Sequence, residues 1–136
     1  MNRRHFIALG GIAGAAAALP AVGHAASMGG PYTQLPNLVF TAEDPGHWAA
    51  LEKLHVPEVE SMGGMLKVTT PHPMSEPHYI VSHTVVLEGG KFLGRKTFNW
   101  RDKPVSEHKL PTGYKGKVYV TSTCNLHDFW VKEIGV

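Results

Sequence analysis

The chain has one cysteine, Cys124, among 136 residues, so no disulfide can close within it. Its core must hold by burial alone, and the free thiol needs some other protection. Also missing are a glycine-rich phosphate loop, a nucleophile elbow and any Ser/His/Asp or paired-acid pattern in a recognisable frame. Hydrolase and nucleotide-dependent readings therefore have nothing to stand on. There is no internal repeat and no coiled-coil period. A surplus of charge is lacking too: the 13 basic residues exceed the 11 acidic by two, and Arg3 and Arg4 are those two. The rest is balanced, which gives no footing for nucleic-acid binding.

What the sequence does have begins with Arg3-Arg4-His5-Phe6, followed by an uncharged Gly/Ala/Leu run to Val22 and then Gly23-His24-Ala25. Paired arginines, a mildly apolar stretch and small residues before a cut describe a twin-arginine export signal over residues 1–25. Positions 6–22 are too short and too rich in Gly and Ala for a strong membrane span. The expected product is exported to the periplasm, with no membrane attachment after cleavage. Residues 26–37 read as a flexible lead-in, and 38–136 as one domain of about 100 residues, enough for a modest core.

Within that domain Leu38-Val39-Phe40 is a short strand candidate. Asp44-Pro45 reads as a helix N-cap with Pro in the first turn, opening a brief helical piece through Leu54 that Pro57 stops. Met65–Thr70 is a strand. Tyr79–Glu88 is the clearest one, with Tyr79, Val81, Val85 and Leu87 on one face and Ser82, Thr84 and Glu88 on the other. Gly89-Gly90 is a hairpin turn signal, with Lys91–Trp100 returning as the partner. Arg101–Gly116 reads as a polar loop, and Lys117–Thr123 and Phe129–Ile134 as the last strands. Short strands with Gly/Pro punctuation and one small helix near the N-terminal side indicate an all-β, antiparallel β-sandwich.

Cys124-Asn125-Leu126-His127 places a thiol and an imidazole three positions apart, at the turn between the last two strands. Alone, Cys-x-x-His is weak, because a single cysteine is usually a small buried hydrophobe. The odds change with His55-Val56-Pro57 and with His72-Pro73-Met74-Ser75-Glu76-Pro77-His78, where two prolines restrain the loop between two histidines and lower the cost of ordering them. A metal would also hold an exported thiol as thiolate. Four neutral imidazoles and one thiolate leave one coordination position open. Structural zinc prefers four closed ligands, calcium and magnesium want oxygen donors, and imidazole with one thiolate suits iron or copper. His47, His83 and His108 are set aside as surface or packing residues, and Trp48, Trp100 and Trp130 as core anchors.

Three motifs carry a family resemblance. Glu52-Lys53-Leu54-His55-Val56-Pro57 resembles the Glu-Lys-His-Val-Pro motif of superoxide reductases. His72-Pro73-Met74 with His78-Tyr79-Ile80, and Cys124-Asn125-Leu126-His127 with Trp130, resemble that family's other two metal motifs. The likeness covers most of residues 38–136, in the same order. With no further cysteine, the chain is most similar to the one-iron, neelaredoxin-like members. The resemblance implies an immunoglobulin-like sandwich and a mononuclear Fe2+/Fe3+ centre held by His55, His72, His78 and His127 in a plane, with Cys124 axial and catalytic. It implies one-electron reduction of superoxide to hydrogen peroxide, with re-reduction by a small redox protein or another electron donor. Self-association into a homo-oligomer stays open.

One departure matters. In the family a lysine directly precedes the first ligand, and here Leu54 stands there. Lys53 and Glu52, the candidates for the family's catalytic lysine and glutamate, are each displaced by one residue. Two other readings compete: an exported electron carrier of the cupredoxin kind, and a metal-binding or sensor protein that kept the ligands and lost turnover. Nothing after His127 is a methionine, which counts against the cupredoxin axial ligand.

Overall fold

The computed structural model describes residues 36–136. The expected export signal (residues 1–25) and most of the expected lead-in (26–37) lie outside the described residues. Among the described residues no helix is long and apolar enough to cross a membrane.

Among the described residues, eight strands form two sheets. They are β1 (Val39–Phe40), β2 (Glu58–Met62), β3 (Met65–Thr69), β4 (Ile80–Leu87), β5 (Lys91–Thr97), β6 (Val105–Lys109), β7 (Lys117–Cys124) and β8 (Asp128–Gly135). The larger sheet runs β1-β8-β7-β4-β5 and the smaller β2-β3-β6. Every pairing is antiparallel except one: β1 lies parallel to β8, with Val39 opposite Phe129 and Phe40 opposite Trp130. The all-β sandwich expected from the sequence is thus present, with that single parallel edge as an exception.

The two sheets close on Leu66 and Val68 from β3, Val85 and Leu87 from β4, Val118 and Val120 from β7, and Leu110 beyond β6. Each buried aliphatic side chain contributes about 1.5–3 kcal/mol of burial. On β3 and β7 the apolar residues alternate with more exposed ones, the period-2 pattern of a strand with one face on the core. On β4 the alternation fails. Pairing slips between Ile80 and Ser82 on the β7 side, and between Val85 and Val86 on the β5 side. Ile80 is therefore fully buried while Val81 is only half-buried, and His83, Thr84 and Val85 are buried in succession. A simple two-face reading of this strand cannot anticipate such slips.

Other differences have physical causes. Asp44 is not a helix cap. Its backbone N–H donates to Thr41 Oγ1, and a 3-10 turn starts after it at Gly46, runs to Leu51 and passes into the one-turn helix α1 (Glu52–His55). Strand β2 alternates acids with Val59 and Ser61 on an exposed edge, so burial does not mark it. Its signal was Gly63-Gly64, both at positive φ, which turns β2 into β3. The stretch 101–116 is not simply a polar loop: β6 inside it pairs with β3 and buries Ser106 and His108. Of the three tryptophans only Trp130 is a core residue. Trp48 and Trp100 are half-buried, and the Arg101 guanidinium lies 4.1 Å over the Trp100 ring.

Candidate metal centre

Five side chains converge at one end of the sandwich. One donor atom each from His55, His72, His78, Cys124 and His127 lies within 4.8 Å of all the others. They arrive from three segments: the end of α1, the 72–78 loop, and the turn joining β7 to β8.

Each ring is aimed by its backbone. His55 ends α1, and its Nδ1–H donates to the Leu51 carbonyl at 2.8 Å, four residues back. That bond leaves Nε2 as the lone-pair nitrogen, and it faces His127 Nδ1 at 3.0 Å. Trp130 stacks on the His55 ring with centroids 5.6 Å apart and donates its indole N–H to the His127 carbonyl at 2.8 Å. The 72–78 loop closes on itself: Ser75 and His78 exchange two backbone hydrogen bonds, and Ser75 Oγ also donates to the His78 carbonyl. This turn brings His72 Nε2 to 3.0 Å from His78 Nε2, which is in turn 3.1 Å from His127 Nδ1.

Three successive N···N distances are therefore 3.0, 3.1 and 3.0 Å. A square with such sides has its centre about 2.1 Å from each corner, the bond length of an imidazole nitrogen to a first-row metal ion. Cys124 Sγ sits to one side, 3.7 Å from His127 Nδ1 and 3.9 Å from His72 Nε2. The thiol lies against Ile80, Phe98 and Met74 and is 3 % exposed. Hydrogen bonding alone does not account for so many rings here. His72 is buried, its Nδ1 has only the Pro73 carbonyl nearby and no well-formed hydrogen bond, and its other nitrogen faces into the cluster.

The electrostatics suit ligation. Burial, reinforced by His55 and His78, pushes His72 down to about 4. Burial is also the main cause of lowering at His55, where the Leu51 carbonyl pulls the other way, and at His127, where Asp128 does. These imidazoles are neutral at pH 7, the form that binds metal. Burial raises the Cys124 thiol, only partly offset by the backbone N–H groups of Leu126 and His127 that point at its sulfur. A cation must therefore displace the thiol proton as it binds. The site is built for a metal with affinity for four imidazoles and one thiolate, and iron fits that donor set.

Every histidine and the cysteine expected as ligands are in this cluster. Glu52 and Lys53 are not among its donors, and no hydrogen bond or ion pair holds either side chain among the described residues. At about 100° per residue, α1 turns Lys53 roughly 200° from His55 and leaves Glu52, three positions away, on the His55 face. Leu54 is 42 % exposed beside the first ligand. Sequence reasoning missed Trp48, whose ring meets His127 edge-on at 4.6 Å. His83, read from the sequence as a packing residue, is one, whereas His108, expected in a polar loop, is buried. Both are buried in a chain of hydrogen bonds running Ser122–Thr70–His83–Ser106–His108 across the sandwich.

Comparison with known proteins agrees with this geometry. Residues 47–133 match the family model for desulfoferrodoxin. The superoxide reductase of Pyrococcus horikoshii is 32% identical over 104 residues, spanning 65% of this chain and 90% of that protein. The superoxide reductase of Pyrococcus furiosus is 27% identical over 113 residues, spanning 65% and 91%. Among solved structures, the superoxide reductase (neelaredoxin) of Ignicoccus hospitalis superposes with a TM-score of 0.64 at 24% identity, covering 75% of this chain and 96% of that one. The superoxide reductase of Treponema pallidum superposes at 0.53 with 27% identity, covering 62% and 69%.

Proposed function

Since this chain belongs to the desulfoferrodoxin family, we propose that it is a superoxide reductase with mononuclear iron held by His55, His72, His78, His127 and Cys124. The observation that carries the reading is the convergence of four imidazole donors and one thiol within 4.8 Å. The net reaction joins one superoxide anion, one electron and two protons to give hydrogen peroxide, with no release of oxygen. Ferrous iron, when bound, supplies the electron.

The chain's own residues set the conditions. Ile80, Phe98 and Met74 wall the thiol off from water, and the Leu126 and His127 N–H groups stabilise its anionic form. Because Cys124 backs onto the core, a small anion reaches the cluster from the side of the half-exposed His78 and His127 rings. The Leu51 carbonyl fixes the His55 tautomer, and the Trp130 face fixes its orientation. We assign Lys53 an electrostatic role in drawing the anion in, and Glu52 a role as a carboxylate on the His55 face. Water delivers the protons. Residues 1–25 fit periplasmic export, and an outside redox protein fits the need for a returning electron.

The test is metal analysis of the isolated protein with its oxidised visible spectrum and a superoxide consumption assay. One iron per chain, a thiolate-to-ferric band and peroxide without oxygen are expected. Zinc in place of iron, with no visible band, would sink the reading.

A further inference from the structure

Asn125 lies inside the Cys124–His127 turn and does more than turn the chain. Its Oδ1 accepts the Tyr79 N–H at 2.9 Å, and its Nδ2 donates to the Pro77 carbonyl at 3.0 Å. Its backbone N–H donates to the Tyr79 carbonyl at 3.2 Å. One residue thus grips the backbone on both sides of His78. The orientation of the amide is fixed by its partners, because only oxygen can receive the Tyr79 N–H and only nitrogen can serve the Pro77 carbonyl. Aspartate has the same shape and lacks the donor.

The position of this grip is what gives it meaning. The 72–78 loop is a closed block, restrained by Pro73 and Pro77 and by the paired Ser75 and His78 backbones. It carries His72 and His78, while the neighbouring turn carries Cys124 and His127. Asn125 is the side chain that sets one block against the other, at the point where His78 Nε2 meets His127 Nδ1 at 3.1 Å. Its Oδ1 is also 4.0 Å from Cys124 Sγ, so any charge placed there acts directly on the sulfur.

We infer that Asn125 is a positioning residue for the metal centre, locking the 72–78 loop to the Cys124–His127 turn so that the two pairs of ligands close on one ion. This rests on the five-donor cluster being the iron site. The bonds are exposed to solvent and individually weak. Their leverage comes from geometry, because ligand alignment depends on both of them at once.

The experiment compares the iron-loaded full chain with Asn125→Ala and Asn125→Asp. Three quantities are read: the rate of iron release to a competing chelator, the visible band of the oxidised protein, and the Tm of the metal-free protein. Release about tenfold faster in Asn125→Ala is expected. Asn125→Asp should also release faster, and its band should move to lower energy because a carboxylate beside the sulfur raises the donor level. A turn residue with no further role would lower Tm alone. Wild-type release rates and an unmoved band overturn the inference, whatever Tm does. Should Asn125→Ala fail to fold, the isosteric Asn125→Asp decides by the same readings. Wild type taking up no iron would overturn both this inference and the iron site itself, whereas normal wild-type uptake with unaltered variants overturns this one alone.

Discussion

Trp48 donates its indole N–H to Asp128 Oδ2 at 3.0 Å, joining residues 80 positions apart. Asp128 follows His127 directly and sits at φ 65°, a left-handed conformation that few L-residues accept without cost. The Trp48 ring also packs edge-on against His127. The segment leading to His55 is therefore tied to the segment that carries Cys124 and His127, so the ligand at one end of the domain's sequence is registered against the two at the other.

Trp48→Phe keeps a ring against His127 and removes the hydrogen bond, so it should cost about 1 kcal/mol of stability. Asp128→Ala should cost about twice that, because it loses the same bond and places a residue poorly suited to φ 65°. Asp128→Asn should stay close to wild type, since asparagine tolerates left-handed backbone and keeps an acceptor. Urea denaturation of the iron-loaded protein measures all three. A harmless Asp128→Ala would show that this tie is ornamental.

His72→Ala and His78→Ala should each weaken iron binding by at least tenfold, because each removes one donor of a converging set. His108→Ala should leave iron stoichiometry intact and lower stability instead, since His108 belongs to the buried inter-sheet chain through Ser106. Cys124→Ser should remain folded, lose the thiolate band and lose most reductase activity. Iron titration followed optically separates these outcomes. Equal iron loss in the three alanine variants would mean that the ligand set is wrong.

The site was legible in the sequence because its ligands sit in short motifs at strand ends, with prolines at 57, 73 and 77 marking where the chain leaves regular structure. What sets those ligands in place was much less visible. Asn125 reads as an ordinary turn residue until its amide is seen between Pro77 and Tyr79. Trp48 reads as a core anchor until its N–H is seen on Asp128. His108 looked like a loop residue because Ser106, Glu107, His108 and Lys109 are all polar. Yet β6 buries two of them in a hydrogen-bonded network rather than an apolar face. Periodicity reports apolar burial, and it is blind where polar groups are buried in mutual pairs.

That network makes the fold sensitive to acid. His83 is fully buried, with Nε2 2.8 Å from Thr70 Oγ1 and Nδ1 2.9 Å from Ser106 Oγ. Thr70 gives its own proton to Ser122, so His83 donates from Nε2 and accepts at Nδ1 as a neutral ring. Burial, and secondarily the facing His108, pull it from 6.5 to about 4. The unfolded chain takes up this proton first as pH falls. Stability from His83 is therefore complete above about pH 6.5 and is lost on the way down to about pH 4, a loss on the order of 3 kcal/mol. Urea midpoints of wild type and His83→Gln, measured from about pH 7.5 to about pH 4.5, isolate its share. Parallel curves would remove His83 from the acid response.

Leu54 stands directly before His55, so the charge that draws the anion in must come from another position. Helix α1 carries Lys53 roughly 200° from His55, so its ammonium does not lie alongside that imidazole. Capture of a small anion needs only field, however, and a charge about half a helical turn from the first ligand acts within the Debye length of about 10 Å at ordinary salt. The surroundings make that single cation count, because residues 43–60 carry five acids and only Lys53 as a base. Lys53→Ala should therefore slow superoxide consumption severalfold at low ionic strength, and Leu54→Lys should speed it. Both differences should shrink as salt rises from about 10 mM to about 300 mM, since screening weakens the field of an exposed charge. Second-order rates from pulsed superoxide across that series make the measurement. If both variants follow the wild-type curve, steering belongs to the basic stretch between Lys91 and Lys117. If Lys53→Ala is slow at every salt concentration, Lys53 acts by direct contact and not through its field.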